Sequence, residues 1–269
     1  MANLQKMIVA GVLVLIMILG ATAYSVLRAP AEASKPIEAL PLATSAAASA
    51  SAAPTVATAA ATTAPTDPAA TTDSSATEAA APNAAAAPGA SSPIVAQIIP
   101  EESEARFIID EVLNNAPKTV VGTTNQVAGE IAVDPDNLSQ SQLGTIQVNA
   151  RTLTTDSEFR NRAIKNRILL TDQYEFITFT PKQLVGLPQS ATIGQSYSFQ
   201  IVGDLTIRDA TREVTFDVTA TPASDTRLEG TAKTTISYAD YGITIPRVPQ
   251  VASVAEQVRL EIDFVAVPK

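Results

Sequence analysis

Apolar and polar residues alternate with a period of two through most of the chain after residue 104. The alternation is clearest around Val214, Phe216 and Val218, which are separated by polar residues. Such a pattern is typical of strands that bury one face. It predicts about eight strands, at residues 106–110, 127–133, 145–150, 176–181, 196–207, 214–219, 231–238 and 258–264.

One segment, residues 156–170, has a different period. Phe159, Ile164 and Ile168 recur there near helical spacing, with cations between them. This pattern predicts a single amphipathic helix inserted between strands, with Thr155 or Asp156 as its N-cap. A meander of about eight strands and one helix must protect its edges, and closure into a barrel does so. Eight strands leave room for side chains or for one elongated ligand.

The N-terminal residues 7–27 contain no charged side chain and are flanked by Lys6 and Arg28. As a helix with about 1.5 Å rise per residue they would span roughly 30 Å, enough for a bilayer core. Residues 1–28 are therefore either a signal anchor with Lys6 in the cytoplasm, or a signal peptide cleaved near Ala21-Thr22-Ala23. The first interpretation predicts a single-pass membrane protein with its folded domain outside the cytoplasm. The second predicts a secreted or periplasmic protein.

Residues 29–103 are mostly Ala, Thr, Ser and Pro, with no aromatic residue and few large aliphatic ones. Such a stretch buries too little apolar surface to offset its ordering entropy, and its prolines interrupt every alanine run. A disordered linker is expected, with an end-to-end distance of roughly 45 Å if it behaves as a flexible coil. The folded domain is then expected at residues 104–269.

Charge and residue usage exclude several function classes. The chain has a formal net charge of −9 and contains no His and no Cys. Acidic residues also outnumber basic ones within 104–269, without a basic cluster of the kind that nucleic-acid binding needs. Thiolate metal sites, disulfides and the commonest general base are absent, and no metal or cofactor is expected.

No catalytic residue is assigned, because no nucleophile elbow, P-loop or zinc-protease motif is present. Two carboxylate pairs are the candidates for acid/base chemistry. Asp134 and Asp136 are more consistent with a turn than with a calcium loop, since too few oxygen ligands cluster there. Glu261 and Asp263 share one face of a strand whose other face is apolar, and they are expected to point to solvent. The chain is not expected to be an enzyme.

Several motifs resemble the YceI-like family, which comprises exported, lipocalin-like barrels that bind polyisoprenoids or other long-chain amphiphiles. Residues 107–110 (FIID) are similar to the family's first strand, and 174–179 (YEFITF) to its tyrosine-led strand after the helix. The most specific similarity is 203–207 (GDLTI) followed by 211–214 (TREV). The chain departs from the family in lacking histidine, in having Glu175 where a proline is usual, and in having Arg208 where a histidine is common.

The resemblance implies an all-β, antiparallel, lipocalin-like β-barrel that carries a long-chain apolar lipid, such as a polyisoprenoid or quinone, outside the cytoplasm. The apolar strand faces supply the candidate lining of its interior: Ile177, Phe179, Phe199, Ile201, Leu205, Ile207, Phe216, Val218, Ile236, Leu260, Ile262 and Phe264. The cations of the helix are candidate contacts for an anionic head group or lipid surface: Arg160, Arg162, Lys165 and Arg167. The alternative function is a non-enzymatic surface interaction or adhesion module, in which the linker projects a closed, ligand-free barrel.

Overall fold

The computed structural model describes residues 28–42, 93–134 and 137–269. Its strands form one antiparallel sheet. They are β1 Ile94–Ile98, β2 Glu104–Leu113, β3 Ala116–Thr124, β4 Val127–Ala128, β5 Glu130–Val133, β6 Gln142–Leu143, β7 Ile146–Asn149, β8 Phe176–Val185, β9 Tyr197–Ile207, β10 Ala210–Ser224, β11 Arg227–Ser237, β12 Val251–Val254 and β13 Gln257–Pro268. Short 3-10 turns lie at Pro100–Glu102, Leu138–Gln140, Ala150–Thr152 and Tyr238–Tyr241.

The sheet curls because neighbours in the chain pair in sequence and the last long strand pairs with the first ones. The order β7-β8-β9-β10-β11-β13 continues to β1 and then to β5. β13 is shared, because its C-terminal end pairs with β1 and its N-terminal half pairs with β2. At the far side β4 pairs with β7 while β5 pairs with β1. The short stretch of β4 and β5 thus connects with both ends of the strand order.

The eight predicted strands are all present, so the expected all-β antiparallel architecture is confirmed as a curled sheet with one short helix. The predicted strand 127–133 is divided into β4 and β5 at Gly129, whose carbonyl accepts a hydrogen bond from the Ile98 amide at 3.0 Å. A side chain at Gly129 would meet the Ile146 side chain at 2.3 Å, so glycine permits this close approach. Four strands, β1, β3, β6 and β12, were not predicted, because they are short or, like β3, interrupted by Pro and Gly.

The predicted helix is confirmed but is shorter than expected. The α-helix α1 spans Glu158–Ala163 and continues as a π-helical turn, Ile164–Ile168. Its N-cap is Ser157, whose hydroxyl accepts a hydrogen bond from the Arg160 amide, so the prediction of Thr155 or Asp156 was wrong by one or two residues. Thr155 instead uses its own amide and hydroxyl to bind the side chain of the buried Asn161.

Both ends of the predicted linker, residues 29–103, are packed on the sheet, and the folded part of the chain therefore begins before residue 104. β1 begins at Ile94 and is hydrogen-bonded to β13 and β5, so it is ordered by neighbours far away in sequence. Residues 28–42, named the strap below, also pack on the sheet, with Ile37 buried. The remainder of the predicted linker, residues 43–92, lies outside the described residues.

The predicted signal anchor or signal peptide also lies largely outside the described residues, which begin at Arg28. Within residues 28–42, 93–134 and 137–269, no helix has both the length and the apolar character needed to cross a bilayer.

Candidate functional site: two apolar cavities inside the curled sheet

The inward face of the sheet surrounds two apolar cavities. The larger has a volume of about 590 Å³ and lies against α1, β2 and the segment 243–254. The smaller has a volume of about 380 Å³ and lies between β1, β5 and the far ends of β8 to β11. Both volumes fall in the range of about 300–1,000 Å³ that is usual for small-molecule sites. Both cavities are partly open to solvent.

An aromatic pair separates the two cavities. The rings of Phe179 on β8 and Phe216 on β10 meet edge to face, with centroids 4.9 Å apart and an interplanar angle of 66°. Both rings line both cavities, as do Ile146 and Ile262. The Phe179 ring has space because β9 carries Gly203 beside it, where an added side chain would come within 2.7 Å of the ring. Among the described residues, these two cavities therefore share the Phe179–Phe216 pair, named the aromatic constriction below, as a common wall.

The twelve residues predicted to line the interior all line one or both cavities. The larger cavity is bordered by eight of them: Ile177, Phe179, Leu205, Ile207, Phe216, Ile236, Leu260 and Ile262. The smaller is bordered by Phe179, Phe199, Ile201, Phe216, Val218, Ile262 and Phe264. The structure thus brings the predicted set together, and contact of these residues with a ligand stays a prediction.

Several of these inward-facing side chains are only half-buried although the sheet surrounds them. Leu260, Ile262 and Phe264 on β13 belong to this group, as does Phe199 on β9. Their polar neighbours on the same strands face the other way, so the exposed area of these residues is directed into the cavities. Side chains of a filled core would instead contact one another at crystal-like density.

Part of the lining of the larger cavity was not predicted from the sequence. Two elements supply it: β2, with Phe107 and Ile109, and the segment 243–254, with Ile245, Val248 and Val251. The segment 243–254 contains two prolines and shows no alternation, so its pattern gave no signal of a buried face. β2 was identified as a strand, but its inward residues were not included among the candidates.

Polar side chains of the larger cavity cluster where α1 begins. Arg160 donates to Glu111 at 2.8 Å and also pairs with Asp156, and Lys118 pairs with Asp156 at 2.5 Å. All four residues border the cavity. Ion pairing lowers the pKa of Asp156, chiefly through the hydrogen bond from Lys118. Two cations and two carboxylates offset each other, so this cluster offers hydrogen-bonding groups without a net charge.

The four predicted head-group cations are not equivalent. Only Arg160 borders the larger cavity, and it is already paired with two carboxylates. Arg162 is exposed, whereas Arg167 is half-buried on the π-helical turn. Lys165 is also half-buried, and burial lowers the pKa of its ammonium group. The set therefore does not converge on one point inside the cavity.

The carboxylate pair Glu261 and Asp263 is held by a cation. Arg106 on β2 donates to Glu261 at 3.0 Å and also to Asp263 and Glu104. Only 16% of the Glu261 side chain is exposed, so the expectation that both acids point to solvent was wrong for Glu261. Asp263 is more exposed, and it accepts a further hydrogen bond from Thr231 at 2.7 Å. The arrangement is a structural ion-pair cluster at the β2–β13 junction.

The second carboxylate pair falls on a turn. Asp134 accepts a hydrogen bond from the Asn137 amide at 3.0 Å, which is the geometry of a side-chain-closed turn. Asp136 lies outside the described residues. In the part of the chain that the structure describes, no group of three or more carboxylate, His or Cys side chains could hold a metal ion.

Comparison with known proteins gives a family and a fold. A family model described as a YceI-like domain matches residues 97–266. A solved polyisoprenoid binding domain from Saccharophagus degradans, implicated in plant cell wall breakdown, is similar with 12% identity and a TM-score of 0.52, over 65% of this chain and 99% of that chain. Burkholderia cenocepacia BcnA is similar with 15% identity and a TM-score of 0.51, over 63% and 99%. No curated protein matches the chain. At these identities the solved structures show a shared fold.

Proposed function

Since the chain belongs to the YceI-like domain family, we propose that it binds one long-chain apolar lipid, polyisoprenoid or quinone-like, inside the curled sheet and outside the cytoplasm. The observation that carries the proposal is the pair of apolar cavities that the protein's own side chains leave open. One relative of the same fold is described as polyisoprenoid-binding, which agrees with this choice of ligand. The sequence resemblance to the family is confirmed by the match over residues 97–266.

We infer that the sheet acts as a closed, lipocalin-like barrel with eight strand positions. β13 pairs with both β1 and β2, and the stretch of β4 and β5 connects this side with β7. Five of the eight positions are single strands: β8, β9, β10, β11 and β13. The other three are formed by consecutive shorter strands: β1 with β2, β3 with β4 and β5, and β6 with β7. A barrel of eight strands encloses a space for one elongated ligand.

Hydrophobic transfer supplies the binding energy in this proposal. Each buried CH₂ of a guest contributes about 0.8 kcal/mol. A long isoprenoid chain therefore binds tightly with few polar contacts, and the absence of histidine does not prevent binding. The polar cluster at the start of α1 is uncharged overall and suits a hydroxyl or carbonyl head group better than a phosphate.

The function is proposed to be binding or carriage, without catalysis. Chain continuity supports a membrane location, because the uncharged run of residues 7–27 directly precedes the described part of the chain. The alternative of a ligand-free adhesion module needs an interior filled by side chains, and the two cavities favour lipid binding instead.

The test is identification of lipid in protein purified from its native membrane in mild detergent. Native mass spectrometry should show an added mass that dissociates on activation and that lipid extraction identifies as a long isoprenoid or similar chain. Replacing Leu260 by Asp places a carboxylate on the wall of the larger cavity and should abolish this mass. The control Arg259→Asp introduces the same residue at the adjacent exposed position and should retain it. Wild-type protein that carries no lipid would overturn the proposal.

A further inference from the structure

The strap, residues 28–42, is fixed to the sheet by hydrogen bonds to acidic and amide side chains. The amide and hydroxyl of Ser34 donate to Glu175 at 2.8 and 2.5 Å. The Leu42 amide donates to the buried carboxylate of Glu130 at 3.0 Å. Ile37 lies between these points and is 9% exposed. A backbone held by charged acceptors and one buried apolar side chain has a defined position on the domain.

Arg151 reinforces the same contact from the domain side. Its guanidinium donates to the Ser34 hydroxyl at 2.9 Å and to the Glu32 carbonyl at 3.2 Å, and it pairs with Glu175 at 2.8 Å. Asn149, which is fully buried, donates to Glu175 at 3.0 Å and so fixes the carboxylate that holds the strap. The strap therefore rests on an ordered polar network of the sheet.

The first residue of the strap lies beside the helical side of the larger cavity. The Arg28 carbonyl accepts a hydrogen bond from the Asn166 side chain at 3.0 Å, and the Arg28 guanidinium pairs with Asp172. Asn166 belongs to the π-helical turn, and two other residues of this turn, Ile164 and Ile168, line the larger cavity. Residues 158–169 are named the helical rim below.

Chain continuity relates this position to a membrane. Residue 27 ends a run of 7–27 without a charge, long enough as a helix to cross roughly 30 Å of hydrocarbon. Consecutive Cα atoms are about 3.8 Å apart, so the end of such a span lies directly next to Arg28 and the helical rim.

We propose that the strap holds the helical rim against the surface of the lipid bilayer, so that the larger cavity opens at the membrane from which its ligand is drawn. The inference rests on the proposed membrane anchor. It replaces a picture in which the residues up to 103 act as a free spacer that keeps the domain away from the membrane. The partner of this surface is the bilayer itself.

The helical rim has the side chains that such a surface needs. Phe159 is 57% exposed although it is a large aromatic residue, and helices that lie at a membrane surface insert Phe side chains at the boundary between head groups and acyl chains. Arg162 on the same helix is also exposed and can face lipid phosphates. Ile193, 53% exposed, borders the smaller cavity instead and provides a comparison site on a different part of the surface.

Single cysteines can measure the distance of each site from the bilayer, because the native chain has no cysteine. Full-length protein carrying Phe159→Cys or Ile193→Cys is labelled with an environment-sensitive fluorophore and reconstituted in liposomes. Lipids with a nitroxide at the head group then serve as quenchers. We expect strong quenching of the label at position 159 and little at position 193. Equal quenching at both sites, or none at position 159, would overturn the proposal.

A second experiment tests the role of the strap by releasing it from the sheet. Ser34→Pro combined with Ile37→Asp removes the Ser34 donors and the buried contact of the strap while leaving residues 93–269 unchanged. We expect the quenching at position 159 to fall by several-fold in this variant. The control Leu40→Asp makes the same change at a strap residue that is 45% exposed and should leave quenching unchanged. Persistent quenching after strap release would show that the strap does not position the rim.

Failure of this inference is distinguishable from failure of the proposed function. Lipid bound to purified protein reports on the cavities, whereas quenching reports on the orientation of the domain at the membrane. Complete extraction of the reconstituted full-length chain by alkaline carbonate would overturn the orientation proposal by removing its anchor, and it would leave the lipid measurement unaffected.

Discussion

Replacing Ala232 by Phe tests whether a bound chain extends past the aromatic constriction. Ala232 lies on β11 opposite Ile262, is half-buried, and borders the smaller cavity. A phenyl ring at this position would project into a space of about 380 Å³ that side chains do not fill. Overpacking a filled core costs about 1–3 kcal/mol, and a ring entering an existing cavity should cost less.

The expected effect on binding follows from the carbon atoms that the ring displaces. A phenyl ring takes the place of about one five-carbon isoprene unit, and at about 0.8 kcal/mol per buried carbon its loss weakens binding by up to about 4 kcal/mol. This energy corresponds to an increase of roughly 1,000-fold in Kd for a chain that occupies both cavities. A short chain that fits in the larger cavity alone should bind with unchanged affinity.

The assay is displacement of a fluorescent fatty-chain probe by a short and a long polyprenol. Intrinsic tryptophan fluorescence gives no background, since the chain contains no Trp. Thr235→Phe, which adds the same ring at an exposed position three residues further along β11, is the matched control and should change neither affinity. An equal loss of affinity for both chain lengths, or no loss for the long one, would refute a ligand that spans both cavities.

Two further predictions concern charged groups. Arg106→Leu should lower the free energy of unfolding by about 1–3 kcal/mol in chemical denaturation, because it removes the hydrogen-bonded cation from Glu261, whose side chain is only 16% exposed. Arg227→Leu, whose ion pairs are surface-exposed, should change it little; similar losses for both would contradict this. For the strap, the hydrogen bond from Lys269 lowers the pKa of Glu130. Burial acts to raise the pKa of Glu175, but the hydrogen bonds from Ser34 and Asn149 and the charge of Arg151 together outweigh it, so both pKa values lie below the usual 4.5. The stabilisation that these ionised groups give is complete above pH 4.5 and is lost as the pH falls through the lowered pKa values. Hydrogen exchange of the strap amides, corrected for intrinsic rates, should therefore accelerate only below pH 4.5. Protection of the strap amides that does not change with pH would contradict this.

The curled sheet could be predicted from sequence because its long strands bury only one face. In β13 the inward residues Leu260, Ile262 and Phe264 alternate with polar ones, and the same holds for β9 and β10. Period-two alternation is a local signal, so it can be recognised without knowing which strands pair with each other. The same signal identified the part of the cavity lining that β8 to β11 and β13 supply, since inward-facing residues of a curled sheet necessarily converge.

The strap could not be predicted in this way, because its stability comes from partners far away in sequence. The bond between Ser34 and Glu175 joins residues 141 positions apart, and that between Leu42 and Glu130 joins residues 88 apart. The strap itself shows neither helical nor strand periodicity. One signal was available: Glu175, the departure from the family's usual proline, is the residue that holds Ser34.

The size of the cavities was also beyond sequence reasoning. It depends on the sum of many side-chain volumes and on close contacts such as that of the Phe179 ring with Gly203. A glycine at that position was visible in the GDLTI motif, but its role in admitting a ring from the neighbouring strand becomes apparent only with the register of β8 and β9.

The strap and β1 both contact the same short strand, β5, on either side of the residues 43–92. Leu42 is bound through Glu130 at one end of β5, and Ile94 pairs with Val133 at its other end. Glu130 and Val133 are three residue rises apart along the strand, roughly 10 Å, so the chain leaves and re-enters the domain at neighbouring points. Doubling or halving the number of residues between such points changes the closure entropy by only about 0.6 kcal/mol. We therefore expect insertions and deletions between residues 43 and 92 to change the free energy of folding little.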